Sequence, residues 1–275
     1  MVRTLFTLAA DTIREALANR IFWGLFALST AMILFFLLLL RIDVVEGALA
    51  TVSLFGQSLI RGRDVNSFVI QVHAAVATFL YSWGMALAVF ASSGLIPGVL
   101  EAGRISLLLS KPVRRWEILA GRYLGNLLVV SANTCYLVLG VWLVFGWKTG
   151  VWRPQFLWTM ATTVFIFAIL LTAVIWIGVV FESSALATMA TLALMVMSPI
   201  LAQNRIAERL LSSEWSRVVW RWLYYALPKV YDLARMTLHI VRDRPVDGVM
   251  PVWSSAVFAA VMFGSAVYIF SRRDF

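Results

Sequence analysis

Hydrophobic positions along the chain gather into six long runs that contain no Asp, Glu, Lys or Arg. They cover residues 21–40, about 73–100, 123–147, about 156–181, 183–202 and about 251–270. Each reaches the roughly 20 residues that an α-helix needs to cross a hydrocarbon core of about 30 Å. Ten-residue segments of alternating polarity, the mark of a membrane β-barrel, are absent. Lipid offers no partner to a free backbone N–H or C=O, so the runs predict six transmembrane helices. The fold expected is all-α and polytopic, one transmembrane domain over residues 1–275. The second run is the least regular, because residues 65–100 carry no formal charge over 36 positions. His73 and the break Gly94-Leu-Ile-Pro97-Gly98 place its core near 74–97, with a kink or an outward displacement as alternatives.

Between the runs the pattern turns amphipathic. Residues 3–20 set Leu5, Phe6, Leu8, Ala9, Ile13, Ala16 and Leu17 on one helical face, and Arg3, Thr7, Asp11, Arg14 and Glu15 on the other. That predicts an interfacial helix over 1–20, lying in the headgroup plane. The outer loop 203–250 resolves into two short amphipathic helices, 205–213 and 214–223, joined near Ser212-Ser213 and followed by a stop near Pro228. They either cap a translocation path or rest on lipid. Trp147, Trp152 and Trp158 bracket the link between the third and fourth runs, where an interfacial aromatic belt belongs.

Composition agrees with the pattern. Hydrophobic residues make up 61% of the chain and charged residues 13%, about half the ~25% of a soluble domain. A single cysteine, Cys135, excludes a disulfide scaffold. The run 21–40 exceeds the ~7–15 residues of a signal-peptide core, so it is expected to remain as the first span. Six spans put both termini on one side. With the ends inside, ten of the 23 Lys and Arg lie inside and thirteen outside, eight of them in the 203–250 loop. The raw count therefore leans against that orientation. The first two inside segments hold eight basic residues against three in the first outside loop, and early charges usually dominate insertion. Both termini are accordingly expected in the cytoplasm, with the chain in the plasma or inner membrane.

Candidate chemistry is sparse. Two histidines, His73 and His239, and one cysteine form no H-E-x-x-H, C-x-x-C or carboxylate–histidine set, so no metal site and no catalytic residues are expected. G-x-S-x-G is missing, and so is the G-x-x-x-x-G-K-[ST] loop that would bind ATP. The net charge of +9 is dispersed over loops with no nucleic-acid module, which suits membrane lipid better than nucleic acid. None of the six runs holds a carboxylate, the commonest group that couples secondary carriers to ion gradients. Weight moves toward an energy source outside this chain, although an ion-coupled carrier or channel, or a non-transporting assembly factor, stays open.

One loop is more specific. Residues 101–122, between the second and third runs, hold five basic residues, two acids and the apolar block Ile105, Leu107, Leu108 and Leu109. Lys111-Pro112 ends that piece, since a residue before proline avoids the α conformation, and a second helix starts near Val113. A short helix with apolar and charged side chains suits a partner's groove, with lipid as the alternative. Glu101, Gly103, Leu107-Leu108-Leu109, Ser110-Lys111-Pro112, Arg114-Arg115 and Gly121-Arg122 in this order resemble the first cytoplasmic loop of ABC-2 (type-2 exporter) permeases of ATP-binding-cassette transporters. The sequence departs from that pattern at Arg104-Ile105, where Thr often follows the glycine, and at Arg122, where Lys is commoner. Tyr224-Tyr-Ala-Leu-Pro228 and the closing Ser271-Arg-Arg-Asp-Phe275 fit the same layout.

The resemblance implies a half-transporter and no enzyme. Two such permeases, as a homodimer or pseudo-symmetric pair, would form the path, and separate P-loop ATPase subunits would hold ATP and Mg. No cofactor would be bound in this chain. Residues 101–122 would be the ATPase-coupling loop: Glu101 and Arg104 its polar contacts, Leu107 and Leu108 its apolar anchor, with Gly103, Lys111, Pro112, Arg114 and Arg115 completing it.

Overall fold

The computed structural model describes residues 2–18, 20–45, 49–54, 57–94, 114–203, 213–246 and 248–273. Among them six helices are long and apolar enough to cross a membrane: Arg20–Leu38, Val65–Ser92, Arg115–Thr149, Pro154–Phe181, Ser184–Leu201 and Met250–Ser271. They are called spans one to six. Between spans one and two the backbone forms a three-stranded antiparallel meander, β1 (Leu40–Val45), β2 (Leu49–Leu54) and β3 (Gln57–Asp64), in that order. The hydrophobic pattern had not marked these short strands.

Span four is the hub. It is apolar on every side, which fits a helix buried all round, and Phe167, Leu170, Leu171 and Ala173 have no exposed surface. Spans two, three, five and six all pack against it. A second cluster joins spans two and three through Val69, Val76, Val138, Val141 and Phe145.

Span two begins earlier than the expected core near 74–97. The Asp64 carboxylate accepts the Ser67 N–H at 3.0 Å and the Ser67 hydroxyl donates back to the Asp64 carbonyl at 2.8 Å. That cap starts the helix at Val65. His73 is consequently not at a span end. It is buried, with its ring stacked on Phe156 at 4.0 Å and 7°. A single wide turn, Leu80–Gly84, interrupts the span midway. Residues 95–100, the expected end of the run, lie outside the described residues.

An N-terminal helix, Val2–Ala18, packs against the start of span three. The contact depends on two glycines four residues apart. A Cβ at Gly121 would sit 2.5 Å from Leu8 Cβ, and one at Gly125 2.6 Å from Thr12 Cβ and 2.7 Å from the Ala9 carbonyl oxygen. Small residues at this spacing let two helix backbones approach closely. Ala9 and Thr12 are buried there, while Phe6 and Leu17 face outward.

Between spans five and six the described residues hold two more helices, Glu214–Ala226 and Val230–Val241, separated at Pro228. The expected helix over 205–213 falls almost entirely on residues outside the described ones. The helix after Pro228 was missed from sequence, though Val230, Leu233, Ala234, Thr237 and Val241 form its buried stripe. It packs on spans two, four and five.

Candidate functional site

Of the loop residues singled out from sequence, Glu101, Gly103, Arg104, Leu107, Leu108, Lys111 and Pro112 lie outside the described residues. Arg114 and Arg115 are described, and they show where the loop rejoins the helical body. The carboxylate of buried Glu117 accepts the Arg114 N–H at 3.1 Å, which closes the first turn of span three. Arg114 is exposed.

Arg115 reaches sideways to the end of span six. Its guanidinium donates to the carbonyl oxygens of Ser271 at 3.1 Å and Phe270 at 3.4 Å, and to that of Arg273. Carbonyls at a helix C-terminus have no partner within the helix, and a cation also suits the negative end of the dipole. Arg273 passes the connection on. It donates to the Val179 carbonyl oxygen at 2.6 Å and pairs with Glu182 at 2.6 Å, at the end of span four. Glu182 closes span four in the left-handed conformation at φ 54°. On the other side of span three, Arg122 pairs with Glu15 of the N-terminal helix.

The start of span three, the ends of spans four and six and the N-terminal helix are thus tied together at one face. The N-terminal helix and the end of span six belong to it, so it is called the terminal face. Gly121, Arg122, Arg273 and Glu182 escaped the sequence analysis as a group. The Gly121–Gly125 spacing was a readable signal of close packing; the pairings of Arg115 and Arg273 depend on which helix ends meet.

The opposite face has its own polar knot. Lys229 is only 2% exposed. Its ammonium donates to the Ser254 hydroxyl at 3.1 Å and lies 4.6 Å and 5.1 Å from the ring centres of Tyr224 and Tyr225. The Tyr224 hydroxyl donates to Asp232 at 2.7 Å. Burial lowers the pKa of Lys229, opposed by the negative charge of Asp232. Burial, then the hydrogen bond to Asp232, raises that of Tyr224. Beyond the other end of the helix Val230–Val241, Arg153 holds Asn66 at 3.0 Å and pairs with Asp243. Trp147, Trp152 and Trp158 are all exposed; Trp152 also leans on Gly146 and meets Trp142 edge-on at 4.8 Å.

Among the described residues no group of three or more His, Cys, Asp or Glu is placed to hold a metal ion. The terminal face offers mechanical linkage between helix ends.

The family profile described as ABC-2 family transporter protein matches residues 6–275. No curated protein matches the chain. Six membrane-length helices and a family match over nearly the whole sequence lead to one conclusion: this chain is a multi-pass membrane protein and belongs to the ABC-2 transporter family, of which it is a transmembrane permease.

Proposed function

We propose that the chain is the membrane half of an ATP-driven exporter, moved through its first cytoplasmic loop, residues 101–122, by a separate ATPase. The observation that carries this is the clamp at the terminal face. The loop rejoins the body at Arg114, and the next residue, Arg115, grips the end of span six, itself tied through Arg273 to span four. A push on the loop would be delivered to three spans at once rather than dissipated in one helix. Membership of a family whose permeases work with ATP-binding-cassette ATPases supports the same partner.

In this proposal Glu101 and Arg104 make polar contacts in a cleft of the ATPase and Leu107 and Leu108 supply the apolar anchor. Gly103, Lys111 and Pro112 complete the coupling loop. Arg114 is left to reach the ATPase or lipid phosphate, since Arg115 is engaged within the chain. ATP and Mg belong to the partner. Two permeases, as a homodimer or a pseudo-symmetric pair, enclose the path, with the termini and the loop in the cytoplasm of the cell that carries the protein in its plasma or inner membrane.

The test is purification of the tagged chain from its native membrane in mild detergent, with mass spectrometry of co-purifying proteins. A stoichiometric P-loop ATPase is expected, lost in the Glu101→Arg, Leu108→Arg double variant while the permease itself is recovered intact. Intact permease without any ATPase, under conditions that preserve other membrane complexes, overturns the proposal in favour of a carrier acting alone.

A further inference from the structure

Span one touches the rest of the bundle along a narrow line. Between Arg20 and Leu34 only Ser29 is buried. Behind it two neighbouring cavities, which share lining residues, are ranged from the terminal face toward the middle of the membrane. The outer one, about 150 Å³, opens beside Glu15 and Gly94. The inner one, about 40 Å³, reaches Ser29, Asn133 and Thr134. Phe22, Leu25, Val129 and Val130 line both.

The walls are hydrocarbon, but the polar groups are placed in order of depth. The Glu15–Arg122 ion pair marks the wide end. Asn126 donates to Ser92 at 2.5 Å one step in. At the narrow end Asn133 donates to Ser29 at 3.2 Å, and its side-chain oxygen is buried without a hydrogen-bond partner. From Arg122 to Asn133 the helix rises about 16 Å, which is half of a hydrocarbon core of about 30 Å. An empty apolar gap forfeits dispersion contacts on its whole lining, and this one borders the bilayer through exposed Leu28.

We infer that the groove between span one and spans two and three binds a single-chain amphiphile, with its polar head at the Glu15–Arg122 level and its chain running down past Leu25 and Val130 toward Asn133. The order of the groups decides the class: the larger cavity sits beside a pair of opposite charges, and the smaller one, lined mostly by apolar side chains, lies deeper along span three. A zwitterionic head matches the paired signs of Glu15 and Arg122. This rests on the transport function proposed above, for which it names the cargo class and the leaflet of the terminal face as its source.

The probe is a lysophosphatidylcholine with a diazirine in its acyl chain, added to the purified full chain in phosphatidylcholine nanodiscs without any ATPase. Saturable labelling is expected at Phe22, Leu25, Val129 or Val130, displaced by unlabelled lysophosphatidylcholine. Gly94 and Ala91 line the outer chamber, and nothing lies within 4 Å of a Cβ built at Gly94. Gly94→Leu and Ala91→Leu, made separately, fill the chamber and are expected to weaken labelling about tenfold, with thermal unfolding unchanged in at least one of them. Gly24→Leu, which lines neither chamber and also has open space at its Cβ, is expected to leave labelling intact. Labelling that fails to saturate and spreads to outward-facing Leu34 and Leu128 overturns the inference, as does full labelling in a folded Gly94→Leu or Ala91→Leu chain. Because no ATPase is present, such a failure leaves the coupling proposal standing; absence of an ATPase from the native complex leaves the groove standing.

Discussion

Gly125 shows how much one missing side chain decides. Its Cα faces Ala9 and Thr12 so closely that even a methyl group would meet the Ala9 carbonyl oxygen at 2.7 Å, and a backbone atom cannot swing aside as a side chain can. Gly125→Ala is therefore expected to cost about 1–3 kcal/mol by overpacking and to lift the N-terminal helix off span three. Limited proteolysis within residues 2–18, together with thermal unfolding in detergent, checks this. Gly24→Ala is the matched control, since open space surrounds its Cβ; it is expected to be neutral or stabilising by up to about 1 kcal/mol. Equal effects of the two substitutions would remove the close-packing explanation. The spacing Gly121–Gly125 was visible in the sequence, but its partner was not, because nothing in a glycine pair says which helix will approach it.

Among the elements, the two helices between spans five and six are joined by the Tyr224–Asp232–Lys229 knot. The Tyr224 pKa is raised above its ordinary 10.0, so the folded chain holds that proton more tightly than the unfolded one. The stability this contributes is complete below about pH 10 and is lost as pH climbs through the folded value. Lys229 has the opposite sign. Its pKa is lowered from 10.5, so the buried ammonium is a penalty that fades as pH rises toward that value. Tyr224→Phe keeps the ring beside Lys229 and removes the phenol. It is expected to be less stable than the parent at about pH 8 and to lose less stability between about pH 8 and 11; unfolding curves across that range read it out. Parallel pH profiles for the two proteins would show that the buried, hydrogen-bonded phenol contributes nothing to the pH dependence. Tyr224 was noted from sequence as part of an aromatic–proline stretch. The missed helix after Pro228 had a readable apolar stripe, yet its burial against spans two, four and five turns an apparently watery loop into part of the core.

For the whole molecule, the arrangement of helix ends gives a topology that chemistry can test. Ala18 and Ser271 belong to the terminal face, Ser213 and Val249 to the opposite end of the bundle, and all four are exposed. Single cysteines at these positions, in a Cys135→Ala background, are expected to divide cleanly with a membrane-impermeant maleimide. Ala18→Cys and Ser271→Cys should react only in inverted membrane vesicles, Ser213→Cys and Val249→Cys only in intact cells. The reverse division would overturn the cytoplasmic orientation of the termini, and labelling of all four from one side would overturn the six-span topology. The charge count alone did not decide the orientation, because eight of the outer basic residues crowd into one loop; several basic residues on both faces are engaged with carbonyls or carboxylates of this chain, as Arg115, Arg153 and Arg273 are.

The sequence by itself determined the class of molecule. Charge-free runs of membrane length force helices, because lipid leaves the backbone no other partners, and the order of acidic, leucine-rich and basic positions around residues 101–122 pointed to the ABC-2 family before any contact was known. It could not place boundaries set by a single cap, such as the start of span two at Asp64. Nor could it show that Arg115 and Arg273 bind helix ends more than 90 residues away in sequence, or that span one stands off from spans two and three to leave a tapered groove. Hydrophobicity is local and additive along a chain, so it can be read from one sequence. Which helix ends meet, and where packing stops short of closing a gap, depends on shapes brought together from distant segments, and only the tertiary structure decides that.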